Sequence, residues 1–414
     1  MKGRQTSNAG RETAILQTLQ KIGTPCFIYD AKILNHNVDR IYKAAEKYGL
    51  DRRIRLYLSY FANSNPLLHP YLKRDDVGLL LQTEEEFFQL EKFGTWRDLV
   101  VSPSFLSDEE IDFWTDKSIC INLASLQEVA YVLKRHPAAE MSFRLDCTWR
   151  QNQRTGIKKR DIGTLAALLA TSRKKPFSFH VYSGTGSSLR QMKRSANTTV
   201  HFYQKYFSGA SAINFGGGFA FDYSAQETSN RKHFDWDGYF CHIAGLLDRA
   251  RAPQDLLLAF EPGRDILADT GTLYLKIKRI VDEGDLLKLA TDGSYVHIPS
   301  AGKRRRVHRT IVFSPEMRVR TAADTRRAVL CGCTTLSSDY VIPGVLRVPT
   351  NVCTGDIVAV TDVGAYAATQ HLEFLNVRPA PEIILDESNQ AFLLTKRGAM
   401  DDKVRNVLPS PEKI

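Results

Sequence analysis

The 414-residue chain has no long uninterrupted apolar run, so nothing in it matches the roughly 20 consecutive apolar residues that a membrane-spanning helix needs. It also lacks the marks of a secretory leader: Met1 to Thr13 is polar, mixed in charge and without an apolar stretch, and a cytoplasmic protein is expected. Internal repeats and low-complexity blocks are absent too. Cysteine is sparse. Seven residues, Cys26, Cys120, Cys147, Cys241, Cys331, Cys333 and Cys353, are odd in number and scattered, which excludes a disulfide framework and leaves most of them as small core residues. Cys331-Gly332-Cys333 is too tight a pair for a zinc knuckle and has no second pair, so no metal site is expected.

What is present describes a soluble globular chain: 43% hydrophobic, 10% aromatic and 25% charged residues. Its length exceeds the roughly 250 to 300 residues over which a single core stops growing, so two domains are expected. A formal charge of +10 favours acidic partners such as anionic metabolites, phosphates or nucleic acid. The densest basic cluster, Lys303-Arg304-Arg305-Arg306 with His308 and Arg309, has no interleaved aromatic residues and no nucleic-acid-binding signature around it, which argues against nucleic acid.

Between residues 30 and 270, short apolar runs alternate with amphipathic stretches. Ile54–Tyr60, Val77–Leu81, Leu99–Ser102, Ile119–Asn122, Met141–Leu145, Phe177–Tyr182, Ala212–Phe215 and Leu256–Phe260 read as strands, with helical patterns such as Glu84–Phe93 and Trp236–Ala250 between them. Eight strands in alternation with helices predict an α/β fold, a (β/α)8 TIM-like barrel. From 271 to 400 the chain turns β-rich, predicting a C-terminal, mostly β domain that the strand at 25–29 joins. Residues 1–20 and 401–414 read as extensions.

Four motifs carry chemistry, and three of them sit at predicted C-terminal ends of barrel strands, the face where barrel active sites lie. Gly216-Gly217-Gly218 follows a strand directly, where glycines let backbone N–H groups approach an anion; in isolation three glycines mark a tight turn. Glu261-Pro262-Gly263-Arg264 follows the next strand, and alone it reads as a strand-end salt bridge. Phe179-His180-Val181-Tyr182-Ser183-Gly184 places a histidine and a serine at a third strand. Asp362-Val363-Gly364-Ala365-Tyr366 lies in the β-rich region, where its plainest reading is a turn with a packed ring.

Together with Tyr57-Leu58-Ser59-Tyr60-Phe61-Ala62-Asn63-Ser64-Asn65-Pro66, these segments resemble the alanine racemase-like, pyridoxal phosphate (PLP)-dependent class-II decarboxylases of ornithine, diaminopimelate and arginine. The resemblance runs from Thr24 to Glu382, in the family's order. It implies a homodimer and a PLP site in which Glu261 holds the pyridine nitrogen protonated, Arg264 lies near the phosphate and His180 stacks on the ring. Ser183, the glycine turn and Tyr366 would contact the phosphate, while Tyr182 replaces a glycine. Arg144 matches the family's strand arginine, with Arg154-Thr155-Gly156-Ile157 beyond it, and Asp292-Gly293-Ser294-Tyr295 matches its D-G-x-Y.

The departures from the family pattern fall on one side. Phe61 occupies the place of the Schiff-base lysine, and a phenyl ring forms no such bond. In Gly332-Cys333-Thr334-Thr335-Leu336-Ser337-Ser338-Asp339, Thr335 falls on the family's proton-donating cysteine and Leu336 on its acid. Cys333, two residues away, would share a strand face with Thr335. Leu80 falls on an aspartate near the Schiff base, and Lys303 and Arg304 fall on the tyrosine and aspartate that grip a basic substrate's amine. A positive pair there favours a carboxylate or phosphate. Residues that hold the phosphate and ring match, whereas those that do proton and Schiff-base chemistry do not.

The expected function is therefore a PLP-dependent carbon–carbon lyase of the decarboxylase class that acts on an amino acid or amino-acid-derived substrate, without the Schiff-base lysine and with PLP held non-covalently. The alternatives are a catalytically inactive relative that binds PLP, another phosphorylated ligand or a regulated partner, and a different transformation that reuses the phosphate cradle.

Overall fold

A computed structural model describes residues 2–94, 97–146, 154–172, 177–224, 233–303, 308–402 and 404–410. The chain divides into two compact units, Leu34–Leu267 and a second made of Met1–Ile33 with Ala268–Ile414.

The first strand, β1 (Cys26–Asp30), belongs to the second unit. In the Leu34–Leu267 unit, β2 (Ile54–Ser59), β3 (Val77–Leu81), β4 (Leu99–Val101), β5 (Cys120–Leu123), β6 (Met141–Asp146), β8 (Ser178–Val181), β9 (Ala212–Gly217) and β10 (Leu257–Glu261) pair in parallel. The β5–β6 and β10–β2 pairings close them into a (β/α)8 barrel, as the strand count predicts. A short strand missed in the sequence, β7 (Ile157–Lys158), lies along the end of β6.

Parallel strands covered on both faces are nearly all apolar, and β3, Val-Gly-Leu-Leu-Leu, is buried throughout. The surrounding helices begin at side-chain caps: Ser107 with Glu110 and Ser125 with Glu128 form capping boxes, and Thr83 accepts from the Glu86 N–H. Outward-facing Phe143 and Phe179 pack with Phe207, at ring separations of 5.1 and 5.3 Å, between barrel and helix layer.

The second unit is built on β11 (Gly271–Asp282), β12 (Leu287–Thr291), β13 (Thr310–Phe313), β14 (Thr325–Cys331), β15 (Leu346–Pro349), β16 (Ile357–Val360), β17 (Glu382–Leu385) and β18 (Ala391–Thr395). Its main sheet runs β15-β14-β12-β11-β1-β17-β18, with β16 bridging β11 and β13. β1 pairs antiparallel to β11 and parallel to β17, so strands from both ends of the sequence form the sheet centre. The N-terminal residues read as an extension instead form a helix, α1 (Lys2–Ile22). Its Ile15 and Leu19 enter a core cluster with Cys26, Ile28, Tyr274 and Ile383, because that sheet face needs an apolar cover.

Candidate active site

Barrel register brings three predicted or adjacent site residues into one inward-facing layer. Arg144 on β6 pairs with His180 on β8, which pairs with Asn214 on β9, and paired residues on neighbouring strands point to the same side. Glu261 closes the group from the end of β10, beyond a register shift in the β9–β10 pairing.

His180 and Glu261 are both buried, with His180 Nε2 3.1 Å from Glu261 Oε2. Asn214 Nδ2 donates to Glu261 Oε1 at 2.8 Å. Burial on its own pushes the Glu261 pKa up, but the charge and hydrogen bond of His180, the Asn214 amide and the Arg144 charge outweigh it. The carboxyl is held below its ordinary range. Burial lowers the Arg144 pKa, against the opposing charges of Glu261, Tyr182 and Asp146. The result is an ionised acid deep in the barrel mouth, with the Arg144 charge acting on it. The Arg144 guanidinium also lies 5.3 Å from the Tyr182 ring centroid, and the Tyr182 hydroxyl is 2.8 Å from Thr185 Oγ1.

The glycine turn is built for close backbone approach. A Cβ on Gly216 would fall 2.0 Å from the Val181 carbonyl oxygen, on Gly217 2.5 Å from that of Glu261, and on Gly218 2.2 Å from that of Gly184. Gly216 and Gly218 also have positive φ, at 68° and 96°. The turn is tied to the serine loop by the Ser187 N–H donating to the Gly218 oxygen at 2.8 Å. Ser183 is buried, and its Oγ has no partner, as expected of a hydroxyl waiting for a ligand oxygen. Asn214 Oδ1 accepts from the Gly216 N–H at 2.9 Å, so one side chain anchors both the turn and Glu261. The sequence reading missed Asn214; the usable signal was its inward place in the strand two residues before the glycines.

Phe61 sits in a 3-10 turn, Tyr60–Ala62, at the C-terminal end of β2, and is half-buried. That turn adjoins the Glu261-Pro262-Gly263-Arg264 segment. The Ser59 N–H donates to the Pro262 oxygen at 3.0 Å, and a Cβ on Gly263 would meet Ala62 Cβ at 3.1 Å. Arg264 Nη1 donates to the Tyr223 hydroxyl at 2.6 Å. Leu80, at the register position beside Ser59, is buried on β3.

The remaining positions lie in the second unit. Tyr366, at φ 59°, follows β16 in a turn whose Gly364 N–H donates to the Ala268 oxygen at 2.9 Å. Cys333 is not on a strand: β14 ends at Cys331, so the alternation that would pair it with Thr335 does not apply. Desolvation by neighbouring atoms, then the Asp339 charge, pushes the Cys333 thiol pKa up. Thr335 and Leu336 are exposed. The buried carboxylate of Asp339 organises this bend. It accepts from Ser294 Oγ at 3.0 Å, the Tyr295 N–H at 3.0 Å and Thr334 Oγ1 at 2.7 Å, joining the Gly332–Asp339 and Asp292–Tyr295 motifs. Lys303 ends a short helix, Pro299–Lys303, while Arg304 and Cys147 lie outside the described residues. Among the described residues no cluster of His, Cys, Asp and Glu is arranged to hold a metal, and no helix is long and apolar enough to cross a membrane.

No family model matches the chain. Among curated proteins it is 25% identical to the diaminopimelate decarboxylase of Buchnera aphidicola subsp. Baizongia pistaciae, covering 94% of each chain. It is also 22% identical to the L-glutamyl-[BtrI acyl-carrier protein] decarboxylase of Niallia circulans, over 97% of this chain and 98% of that one. Among solved structures, diaminopimelate decarboxylase from M. jannaschii superposes with a TM-score of 0.82 at 16% identity, covering 96% of this chain and 94% of that one.

Proposed function

Because its relatives are diaminopimelate decarboxylases and related class-II PLP-dependent decarboxylases, whose alanine racemase-like fold it has, we propose that the chain binds PLP non-covalently and acts on an amino acid or amino-acid-derived substrate without a Schiff-base lysine. The observation that carries this reading is Glu261, held ionised at the barrel mouth by His180, Asn214 and Arg144. An ionised carboxylate is the group that keeps a pyridine nitrogen protonated. Bound PLP supplies an electron sink for the pair left when a bond to Cα breaks. The residues present fit that cofactor: Gly216, Gly217 and Gly218 leave backbone bare for a phosphate, and the orphaned Ser183 hydroxyl lies beside them. In this reading His180 covers the ring, Arg264 serves the phosphate, and Phe61 replaces the tether. A cytoplasmic homodimer goes with it.

The substrate reading favours acidic or carrier-borne compounds. In the sequence Lys303 and Arg304 fall on the family's tyrosine and aspartate that grip a basic amine, and one relative is named for an aminoacyl group on an acyl-carrier protein. A catalytically inactive, ligand-binding relative is the second reading, favoured by Leu80, Thr335 and Leu336 at the positions for proton chemistry.

One preparation separates these. The purified protein is loaded with PLP and divided: one portion is treated with borohydride and weighed by mass spectrometry, and the other, untreated, is offered free amino acids and carrier-bound glutamate while CO2 is counted. The expected results are a PLP spectrum, no reduced lysine adduct, and CO2 release. A borohydride-fixed adduct on any lysine, Lys158 at the barrel mouth included, overturns the non-covalent reading. PLP binding without CO2 release selects the inactive relative.

A further inference from the structure

Asp146 ends β6 two residues beyond Arg144, so it projects on the same inward row, one layer nearer the mouth than Arg144, His180 and Asn214. Its carboxylate is buried, with a side-chain exposure of 1%. One oxygen, Oδ2, is held by Lys158 Nζ at 2.5 Å, from the register position opposite it on β7. The other, Oδ1, is buried with no hydrogen-bond partner. The chain returns across the residue at Gly156, φ 110°, where a Cβ would fall 3.1 Å from the Asp146 nitrogen. A buried carboxylate oxygen without a donor is costly, and at a functional mouth it marks the place of a ligand's N–H or O–H.

Leu80 falls on the family's aspartate near the Schiff base, Leu336 on its acid and Arg304 on the aspartate that grips a distal amine, so Asp146, an inward carboxylate next to Arg144, acquires weight. Glu261 is already engaged on both oxygens, by His180 and Asn214. We propose that Asp146 Oδ1 docks the α-ammonium group of the amino-acid substrate, with Lys158 as the positioning residue that fixes the carboxylate's orientation. This rests on the PLP reading above. With no lysine amine to hand the cofactor over, an incoming ammonium needs a fixed acceptor to hold it at the mouth. The pairing is charge-balanced, because Lys158 neutralises the carboxylate before the substrate arrives and shares it afterwards.

The experiment uses the full-length protein loaded with PLP and two probes followed by cofactor absorbance: glycine, whose amino group is an ammonium at neutral pH, and hydroxylamine, whose amino group is neutral there. Asp146→Asn is expected to weaken the apparent affinity for glycine at least tenfold, while the hydroxylamine rate and PLP affinity stay within twofold of the parent. Equal responses of parent and variant to glycine overturn the inference. So do an equal loss with both probes, which marks a packing role, and a loss of PLP itself, which marks a cofactor contact. If Asp146→Asn does not fold, Lys158→Met supplies the second arm. Without its positioning partner the carboxylate loses its fixed orientation, so the glycine response falls at least threefold while the hydroxylamine rate holds, and no fall overturns the inference. A parent protein that takes up no PLP, or takes it up and answers neither probe, sinks the underlying reading. A parent that answers both, with a variant that matches it, sinks this inference alone.

Discussion

Asn214 and Glu261 are joined at 2.8 Å by a buried amide-to-carboxylate hydrogen bond, and the same Asn214 accepts from the Gly216 N–H at 2.9 Å. One residue thereby fixes the position of the acid and of the glycine turn. Asn214→Ala leaves a buried carboxylate oxygen and a buried N–H unmet, each costing about 1–3 kcal/mol. The expected loss is roughly 2–4 kcal/mol in urea unfolding, since the two penalties are not fully additive. PLP affinity should fall with it, because the proposed phosphate cradle and ring acid move together.

Glu261 predicts an acid limb of stability. Its folded pKa lies below the ordinary value of 4.5, so it stabilises the fold fully above that pH, and the contribution is lost as pH falls through the folded value. Glu261→Gln removes this limb. Melting temperatures of parent and variant measured from pH 7 down to 3 should differ most near neutrality and converge toward the acid end. A gap that stays constant across that range would show that Glu261 is not charged in the fold.

The three glycines separate shape from flexibility. Gly216→Ala puts a methyl 2.0 Å from the Val181 oxygen at a positive φ, and forced overpacking of this kind costs about 1–3 kcal/mol or more. Gly163, early in helix Ile162–Ser172, has open space around its Cβ position and no positive φ. Gly163→Ala should stabilise by up to about 1 kcal/mol. Opposite signs in denaturant melts, with PLP binding lost only in Gly216→Ala, check that the turn is shaped for a close approach.

Much of this was legible in the chain because parallel barrel strands are short, apolar and regularly spaced, and because His180, the glycine turn and Glu261 each fall at the end of such a strand. What the sequence hid depends on register. Asn214 and Asp146 are ordinary polar residues until pairing between strands shows that they face inward. Asp339 is similar: it fell within a motif read for its cysteine position, yet its role is to tie nearby Thr334 to Ser294 and Tyr295, which lie 45 and 44 residues away and which no local pattern announces. Cys333 was misplaced because β14 stops two residues short of it, and period-two reasoning fails outside a strand. The helix α1 was missed because its first half is polar, and the residues that pack on the sheet, Ile15 and Leu19 with Ala14, Leu16 and Ile22 beside them, are confined to its second half.

Phe61→Lys tests whether the missing amine is the whole difference. The residue lies in the turn at the end of β2, against the segment that carries Glu261 and Arg264, so a lysine there starts from the same mouth as the proposed cofactor-binding groups. Phe61 is only half-buried, and the long lysine stem covers much of the same apolar surface, so the fold should tolerate the change with a loss of about 1 kcal/mol or less. Borohydride treatment of the PLP-loaded variant should fix the cofactor to residue 61, seen as a mass increase on that peptide. Decarboxylation of diaminopimelate or L-lysine should stay at the parent's level, because Thr335 and Leu336 still occupy the positions of the proton donor and the acid, and a threonine hydroxyl does not give up its proton at neutral pH. A large gain in CO2 release from this single substitution would show that the second unit's substitutions are neutral, and that a lysine alone separates this chain from its decarboxylase relatives.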